Sequence, residues 1–484
     1  MNRKVISAAL AAAMTLGAFA QTAMAESADE KTLINIYHCT FNIASADSSE
    51  VMAIEDAINE YISDKINVEV RLTDIGQGEY DNKTNLAVAN GEANLFWTAN
   101  WMGAINTDNL VAQNAVYDLT DLLPGSALYD SMPEAVWNSC KYDGRDYFVS
   151  CYKESSEGYD LVYPVEKAEK YGWDLSTVKE LKDLEPMLAQ MKEDGVKYPL
   201  LLQMMPFFSK YYIDDFDFIL SSTMIAVDRE TNEVVDCLSL PEYKDFLMMM
   251  SDWGEKGYIS EEEATKTIPD TVINTTDWGF AAWWDVPVND EADGTYGQDC
   301  DVIRMTKNYL NSSSTLGSCF AVSSASTPEQ AQACVDFLGL MYTDSKLADL
   351  FTFGIEGTDY DLEDGYVVKK GGLYDHSSWE SGSVATISLE AGEPENKVEL
   401  YEQFNTTSEE SIANGFRFDF TPVQAEWAAC TSLYDQYGYV MEEGGTSTAD
   451  LESTLETFRS ELDAAGYQDV LAEVSRQYEE WKAQ

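Results

Sequence analysis

The apolar and polar positions along the chain follow two alternating periods, one typical of strands and one of helices. A short apolar strand at 33–36 precedes residues 51–62, where apolar side chains recur every three or four positions, as in an amphipathic helix. The period returns to two over 66–72, and a second helical pattern at 80–90 ends before a glycine. Residues 95–97 form another apolar strand. This order predicts an α/β lobe that binds ligands at the carboxyl ends of its strands.

The same mixture of elements continues through the rest of the chain. The spacing of Thr327 and Gln330, with Pro328 at the first helical position, predicts a capping box. No internal repeat or long linker is present, so two α/β lobes with several chain crossings are expected rather than two consecutive domains. The other predicted elements are hairpins at 138–152, 225–238 and 354–368, strands at Trp278–Trp284 and 317–322, helices at 164–171, 177–194 and Pro241–Lys256, and two C-terminal helices separated by Gly466.

Two of the predicted strands lead into tryptophans. Trp101 lies just past the strand at 95–97, beside Asn100, and Trp283 and Trp284 end the strand that begins at 278. Flat apolar rings next to neutral hydrogen-bonding groups suit a polar, uncharged, ring-shaped ligand. Three other tryptophans are expected in the core, namely Trp97, Trp278 and Trp427.

Composition and charge narrow the class of protein. The chain has 484 residues, 86 acidic and 30 basic side chains, and a net charge of −56, which would repel nucleic acid and anionic lipid. The acidic residues are scattered, which favours a solvated acidic surface over a cation store. Residues 1–25 combine a basic start, an apolar run at 5–19 and a small-residue cleavage site, and so predict a signal peptide and an exported protein.

The sequence lacks the residues that several kinds of catalytic and metal sites require. The two histidines, His38 and His376, are too few for a histidine cluster that binds zinc or iron, and no nucleophile elbow or glycine-rich phosphate loop is present. The acidic positions at 359–363 depart from the spacing of a calcium loop. Eight cysteines have irregular spacings without Cys-x-x-Cys, so their pairing is open and buried free thiols would fit. We therefore expect no cofactor, no metal and no catalytic residue.

Three motifs carry a resemblance to a known family. They are Trp-Thr-Ala-Asn-Trp at 97–101, Phe-Gly-Ile-Glu-Gly at 353–357, and Gly-Phe-Arg-Phe-Asp at 415–419 followed by Pro422. With the order of elements around them, they resemble extracellular solute-binding proteins of ABC importers, specifically the lipoprotein-type branch associated with oligosaccharides. Members of that branch usually carry a lipobox cysteine, whereas the first cysteine here is Cys39, well beyond the predicted cleavage site. A lipid anchor is therefore not expected.

The resemblance implies a two-lobed, type II periplasmic-binding-protein-like α/β fold, with a ligand cleft between the lobes and a helical C-terminus. Lobe one would comprise 32–151 with 315–372, and lobe two 152–314 with 373–484. The implied ligand is an oligosaccharide and the implied partners are ABC permease membrane subunits, with the protein a monomer on the outer side of the cytoplasmic membrane. The predicted ligand-binding residues are Thr98, Asn100, Trp101, Glu154, Trp283, Trp284, Asp285 and Trp379.

Two alternatives stay open at this stage. The first is an exported carbohydrate-active enzyme, because a glycosidase needs only two carboxylates and the chain has many. The second is a binding protein for a solute that is not a sugar, such as a peptide.

Overall fold

The computed structural model describes residues 31–42, 48–203, 207–269, 272, 275–288, 296–372 and 374–483. The predicted signal peptide at 1–25 lies outside these residues. The strands are, in chain order, β1 (Thr32–Thr40), β2 (Val68–Gly76), β3 (Leu95–Thr98), β4 (Phe148–Ser150), β5 (Ser156–Glu157), β6 (Tyr159–Pro164), β7 (Tyr198–Leu201), β8 (Phe216–Leu220), β9 (Ile225–Asp228), β10 (Glu233–Asp236), β11 (Trp278–Trp284), β12 (Cys300–Arg304), β13 (Tyr309–Leu310), β14 (Cys319–Val322), β15 (Tyr360–Glu363), β16 (Tyr366–Lys369) and β17 (Glu409–Glu410).

Helices cover these strands and form most of the C-terminal part. The α-helices are Ser48–Ile62, Gln77–Ala89, Thr107–Ala112, Ala127–Asp130, Glu134–Cys140, Val165–Tyr171, Glu185–Glu193, Phe207–Tyr211, Pro241–Lys256, Glu261–Ala264, Ser312–Thr315, Pro328–Met341, Ser345–Phe353, Lys397–Thr407, Gln424–Leu433, Tyr439–Glu442, Leu451–Ala465 and Tyr467–Lys482. Among the described residues, no helix combines the length and the apolar character that crossing a membrane requires.

The first sheet has five strands in the order β2-β1-β3-β14-β4. Strands β1, β2 and β3 are mutually parallel, and β14 runs antiparallel to β3. The period of three and four predicted for residues 51–62 buries Val51, Ile54, Ile58 and Ile62 of the covering helix. The parallel strands end at one edge of the sheet, which places the residues after Thr98 at the edge where α/β folds bind ligands.

The second sheet has four strands in the order β12-β6-β11-β7. Strand β11 pairs in parallel with β7 and antiparallel with β6, and all but its last residue are buried. Its alternate side chains enter two separate hydrophobic clusters, with Phe280 in one and Trp283 in the other. A strand covered on both faces explains its almost continuous apolar sequence.

A three-stranded sheet, β17-β13-β5, lies where the chain passes between the two main hydrophobic cores. The first core extends to Tyr152 before the second begins at Leu161, and β5 lies between these residues. The chain returns through β13 and leaves again through β17. We call this sheet the crossing sheet.

The structure confirms many of the predicted elements and corrects others. The helix Pro241–Lys256 and the two C-terminal helices form as predicted. The first arm of the hairpin predicted at 138–152 is instead the end of helix Glu134–Cys140, and only a single bridge, Tyr142 to Arg145, spans its turn. Helix 177–194 is shorter than predicted and spans Glu185–Glu193.

The segment after residue 373 packs differently from the predicted lobe boundary. Tyr374 belongs to the first core and Trp379 packs against it, although both fall in the part of the chain predicted for lobe two. The backbone N–H of Tyr152 donates to the carbonyl of Gly382, which continues this attachment. The chain therefore stays with the first core beyond residue 372.

Candidate functional site

Trp101 projects from the carboxyl edge of the first sheet. Its side chain is 51% exposed, and its indole N–H donates to the carbonyl of Gly317 at 2.7 Å. The ring centroid lies 5.9 Å from that of Phe41, which in turn lies 5.0 Å from that of Trp379. Trp97, fully buried as predicted, supports these rings from below. We call Phe41, Trp101 and Trp379 the aromatic shelf.

Trp284 occupies the equivalent place in the second sheet, because it is the last residue of β11. Its side chain is 49% exposed, whereas its neighbour Trp283 is only 9% exposed and packs 5.4 Å from Tyr296. Phe280 and Ala282, which lie on the same face of the strand as Trp284, are buried, so the exposure of Trp284 follows from its position at the end of the strand. Trp284 therefore exposes a ring face to solvent, whereas Trp283 packs in the interior.

Large apolar side chains are rarely exposed in the described part of the chain. Tryptophan is the only aromatic type among those that are; Trp284 is the last residue of β11, and Trp101 lies three residues past the end of β3. A half-exposed indole held by a hydrogen bond keeps its apolar face in solvent at a fixed orientation, which is typical of a ligand-binding ring. The exposed set is Leu33, Met52, Leu86, Trp101, Met248, Trp284 and Leu362.

The polar residues predicted for the site have different surroundings. The Thr98 side chain is fully buried and its hydroxyl donates to the carbonyl of Ile105, so it has no surface to offer a ligand. The Asn100 side chain donates to the carbonyl of Ser313 at 2.9 Å and is partly exposed. Glu154 forms an ion pair with the neighbouring Lys153 close to the crossing sheet.

Asp285 is buried rather than presented to solvent. It forms an ion pair with Arg304 and accepts a hydrogen bond from Asn308. Burial and the nearby Asp285 raise the pKa of Asp160 to about 8, and burial also raises the pKa of Asp285. The Asp285 side chain therefore has no exposed surface here, and it anchors Arg304, whose side chain is 54% exposed.

Two residues near the strand ends were absent from the predicted site. Phe41 follows β1 and completes the aromatic shelf. Gln203 follows β7, and its side-chain amide donates to the carbonyl of Ala282 at 2.7 Å and to the hydroxyl of Tyr296 at 2.8 Å. The rule that ligands gather at carboxyl ends of parallel strands identifies both positions once the strand bounds are known.

A cavity of about 370 Å³ lies between parts of the two cores. Asn100 and Asp108 line it from the first core's side, and Phe218 and Trp427 line it from the other side. Trp427 was predicted in the core but is partly exposed to this cavity. Two ion pairs lie in its wall, Lys210 with Glu157 at 2.9 Å and Arg229 with Asp217 at 3.5 Å.

Comparison with known proteins identifies similar substrate-binding proteins of ABC transporters. A carbohydrate ABC transporter substrate-binding protein of Streptococcus pneumoniae is 24% identical over 453 residues, covering 87% of this chain and 86% of the relative. The crystal structure of the N-glycan transport solute binding protein (NgtS) from the same species superposes with a TM-score of 0.79 at 21% identity, covering 93% of this chain and 99% of the other. An HMO-binding ABC-transporter-associated solute binding protein from Bifidobacterium longum infantis superposes with a TM-score of 0.65 at 15% identity, covering 93% and 99%.

These neighbours establish the two-lobed α/β fold with a helical C-terminus. The C-terminal helices at 412–483 match a domain of unknown function, DUF3502. The model for the bacterial extracellular solute-binding proteins matches residues 56–358, more than half of the chain. The chain belongs to the bacterial extracellular solute-binding protein family.

Proposed function

We propose that the protein is the binding component of an ABC importer, which captures an oligosaccharide between its lobes and delivers it to membrane permease subunits. The observation that carries this proposal is the pair of half-exposed tryptophans, Trp101 and Trp284, at the carboxyl ends of strands in the two main sheets. Aromatic faces stack on the apolar C–H faces of pyranose rings, and amide or guanidinium groups hydrogen-bond the hydroxyls. Micromolar affinity requires about −8 kcal/mol, which two or three such rings and several hydrogen bonds supply after ordering costs.

The comparisons support an oligosaccharide as the ligand. The S. pneumoniae relative is a carbohydrate ABC transporter substrate-binding protein, and NgtS was crystallised with Man1GlcNAc and with Man5GlcNAc. We infer that neutral oligosaccharides containing mannose or N-acetylglucosamine are the first ligands to test.

The proposed contacts divide into stacking and polar groups. Trp101, Trp379 and Trp284 provide rings, while Asn100 and Arg304 provide hydrogen-bond donors. Glu154 stays a proposed contact near the crossing sheet. Thr98, Trp283 and Asp285 support these groups from the interior. The proposed lobes are those predicted above, with the segment of Tyr374 and Trp379 reassigned to lobe one because it packs on the first core.

Export and the absence of catalysis belong to the same proposal. The signal peptide predicted at 1–25 agrees with the extracellular character of the family. We propose that the protein acts as a monomer and only binds its ligand.

Isothermal titration calorimetry against a panel of neutral oligosaccharides tests the proposal. We expect one site with micromolar or tighter affinity for at least one member of the panel. Incubation of the same sugars for a day, followed by chromatography, should give no shorter products. Binding of peptides but of no sugar would refute the proposed ligand, and the appearance of hydrolysis products would favour the enzyme.

A further inference from the structure

The only two histidines of the chain converge in the interior of the first lobe. His38 in β1 pairs in register with Asp74 in β2, and the ring of His376 lies 4.5 Å from that of His38. Glu380 completes the group, and the four side chains are essentially inaccessible to solvent. Two imidazoles and two carboxylates in an apolar interior require a specific explanation, because burial of such groups is costly unless they are paired or bind a cation.

The ligand atoms of three of these residues are close enough to surround one ion. His38 Nδ1 lies 3.9 Å from Asp74 Oδ1, and His376 Nε2 lies 3.2 Å from Asp74 Oδ2. One ligand atom from each residue lies within 4.8 Å of those of the other two. Tetrahedral coordination with bonds of about 2.0–2.1 Å places ligand atoms about 3.3 Å apart. Small side-chain movements would therefore give a three-ligand site.

The other nitrogen of each imidazole faces an orienting group. His38 Nε2 donates to the backbone carbonyl of Glu380 at 3.0 Å. Nδ1 is then unprotonated, and its lone pair is available on the side of Asp74. His376 Nδ1 lies 3.6 Å from Glu380 Oε1, and the same oxygen accepts a hydrogen bond from the backbone N–H of Ser377 at 2.8 Å. Metal-binding histidines characteristically have a carbonyl or carboxylate on the nitrogen that does not bind the metal.

Several polar atoms in the group have no hydrogen-bond partner. His38 Nδ1 and Asp74 Oδ1 have no hydrogen-bond partner, and His376 Nε2 and Asp74 Oδ2 have only their ion-pair contact of 3.2 Å with each other. The surroundings are aromatic, with Phe351 at 4.9 Å from the ring of His38 and Tyr374 at 4.6 Å from that of His376. A single cation between the three residues would bind His38 Nδ1, His376 Nε2 and the carboxylate of Asp74.

We infer that His38, Asp74 and His376 bind a divalent transition-metal ion, for which Zn²⁺ is the best match, and that Glu380 orients both imidazoles. Two imidazoles and one carboxylate are a common zinc ligand set, whereas Ca²⁺ and Mg²⁺ prefer oxygen ligands alone. This proposal departs from the expectation that the histidine count gave, since two histidines suffice when a carboxylate supplies the third ligand.

The ion would connect the segment that contains His376 to the first sheet. Trp379 directly precedes Glu380, and Phe41 follows His38 along β1 and its end. Metal binding would therefore fix the aromatic shelf in position before a sugar arrives. This consequence for ligand binding rests on the proposed function, whereas the metal site itself does not.

Metal content after refolding tests the site. The full-length chain is expressed for export and purified without a histidine tag. It is then unfolded in denaturant that contains a chelator, and refolded with either Zn²⁺ or chelator. We expect about one zinc per chain by mass spectrometry of the metals and a higher melting temperature in the zinc sample. Co²⁺ in place of Zn²⁺ should give visible absorption bands of a low-symmetry nitrogen and oxygen site.

Substitutions then locate the ion. His376→Gln and Asp74→Asn should each lower the zinc content at least tenfold. Tyr374→Phe is the matched control, because it removes a buried hydrogen bond to the carbonyl of Phe351 beside the site but no metal ligand. Wild-type protein that refolds with Zn²⁺ and retains less than a tenth of an equivalent would overturn the inference. Equal zinc retention by wild type and both ligand variants would also overturn it. If a variant does not fold, the zinc content and the Co²⁺ spectrum of the wild type decide.

Sugar affinity measured with and without zinc separates the two proposals. A zinc-loaded protein that binds no sugar leaves the metal site standing and contradicts the proposed function. Sugar binding that is equally tight in zinc-free protein contradicts only the link between the ion and the shelf.

Discussion

Trp97 and Trp101 show how neighbouring residues of one type take opposite roles. Trp97 lies inside β3, and its indole N–H donates to the hydroxyl of Ser318 at 2.9 Å within the core. Trp101 lies beyond the strand and is half exposed. The position of each residue relative to the strand end was enough to predict this division from the sequence. The inward direction of the Thr98 hydroxyl was not predictable, because it depends on the carbonyl of Ile105 in the following loop.

Replacement of Trp101 by alanine should weaken sugar binding about tenfold or more, equivalent to about 1.4 kcal/mol. The loss follows from removal of one stacking face, and Trp101→Phe should retain most of the affinity. Trp173→Ala is the control, because Trp173 stacks on Tyr171 and on Phe280 at the second core and is not among the proposed contacts. Calorimetry measures all three variants, and unchanged affinity in Trp101→Ala would remove this residue from the site.

Glu442 should make stability depend on pH. Burial raises the pKa of its carboxyl group to about 7, even though the hydroxyls of Tyr243 and Tyr434 donate to it. Because the folded-state pKa lies above the unfolded value, the stabilising contribution of the protonated form is complete below about pH 4.5 and is lost as the pH rises through about 7.

Glu442→Gln should remove this dependence. Between pH 4.5 and 8, the free energy of unfolding of the wild type should fall by up to about 3 kcal/mol relative to that of the variant. Urea denaturation across this range measures both proteins. Parallel pH profiles would show that the carboxyl group is not protonated in the folded protein at neutral pH.

At the scale of elements, helix Pro328–Met341 begins with the capping box that the sequence predicted. The Thr327 hydroxyl accepts from the backbone N–H of Gln330 at 3.2 Å, and the Gln330 side chain accepts from the N–H of Thr327 at 3.1 Å. Thr327→Ala should lower the free energy of unfolding by about 1 kcal/mol. Thr327→Ser keeps the hydroxyl and should be close to wild type in thermal unfolding. Equal melting temperatures for the alanine variant and wild type would contradict this role.

Local hydrophobic patterns predicted most helices and strands. They did not predict which segments, far apart in sequence, contact each other. The period-two stretch that begins near residue 66 became β2, and the apolar stretch at Trp278–Trp284 became β11. Tyr374 and Trp379 occur in a segment without helical or strand periodicity, so no sequence signal showed that the chain stays with the first core there. Asp285 likewise resembles a free acid in sequence, and only the pairing of β6 with both β11 and β12 brings Arg304 beside it.

At the scale of the whole molecule, the crossing sheet is the place about which the lobes would move. Its strands are short, and their bonds join segments from three distant parts of the chain. We expect a saturating oligosaccharide to close the cleft and to decrease the radius of gyration measured by small-angle X-ray scattering. A sugar that is not bound in calorimetry is the control. An unchanged radius with a bound sugar would indicate a cleft that does not close.

The acidic surface should select against anionic sugars. With a net charge of −56, the protein attracts cations and repels anions at low ionic strength. A neutral oligosaccharide should therefore bind with nearly the same affinity in low and in high salt, whereas a uronate oligomer of equal length should bind more weakly, especially in low salt. Calorimetry at two salt concentrations measures this, and preference for the anionic sugar would contradict the expectation.

The three passages between the cores also determine when the protein can fold. The first core includes Tyr374 and the second includes Val474, so neither core is complete in a fragment that contains only the first half of the chain. A chain made from its amino end keeps apolar surface uncovered until synthesis is nearly finished. For a protein that we propose crosses a membrane, late completion keeps the chain unfolded during passage and postpones folding until it reaches the outside.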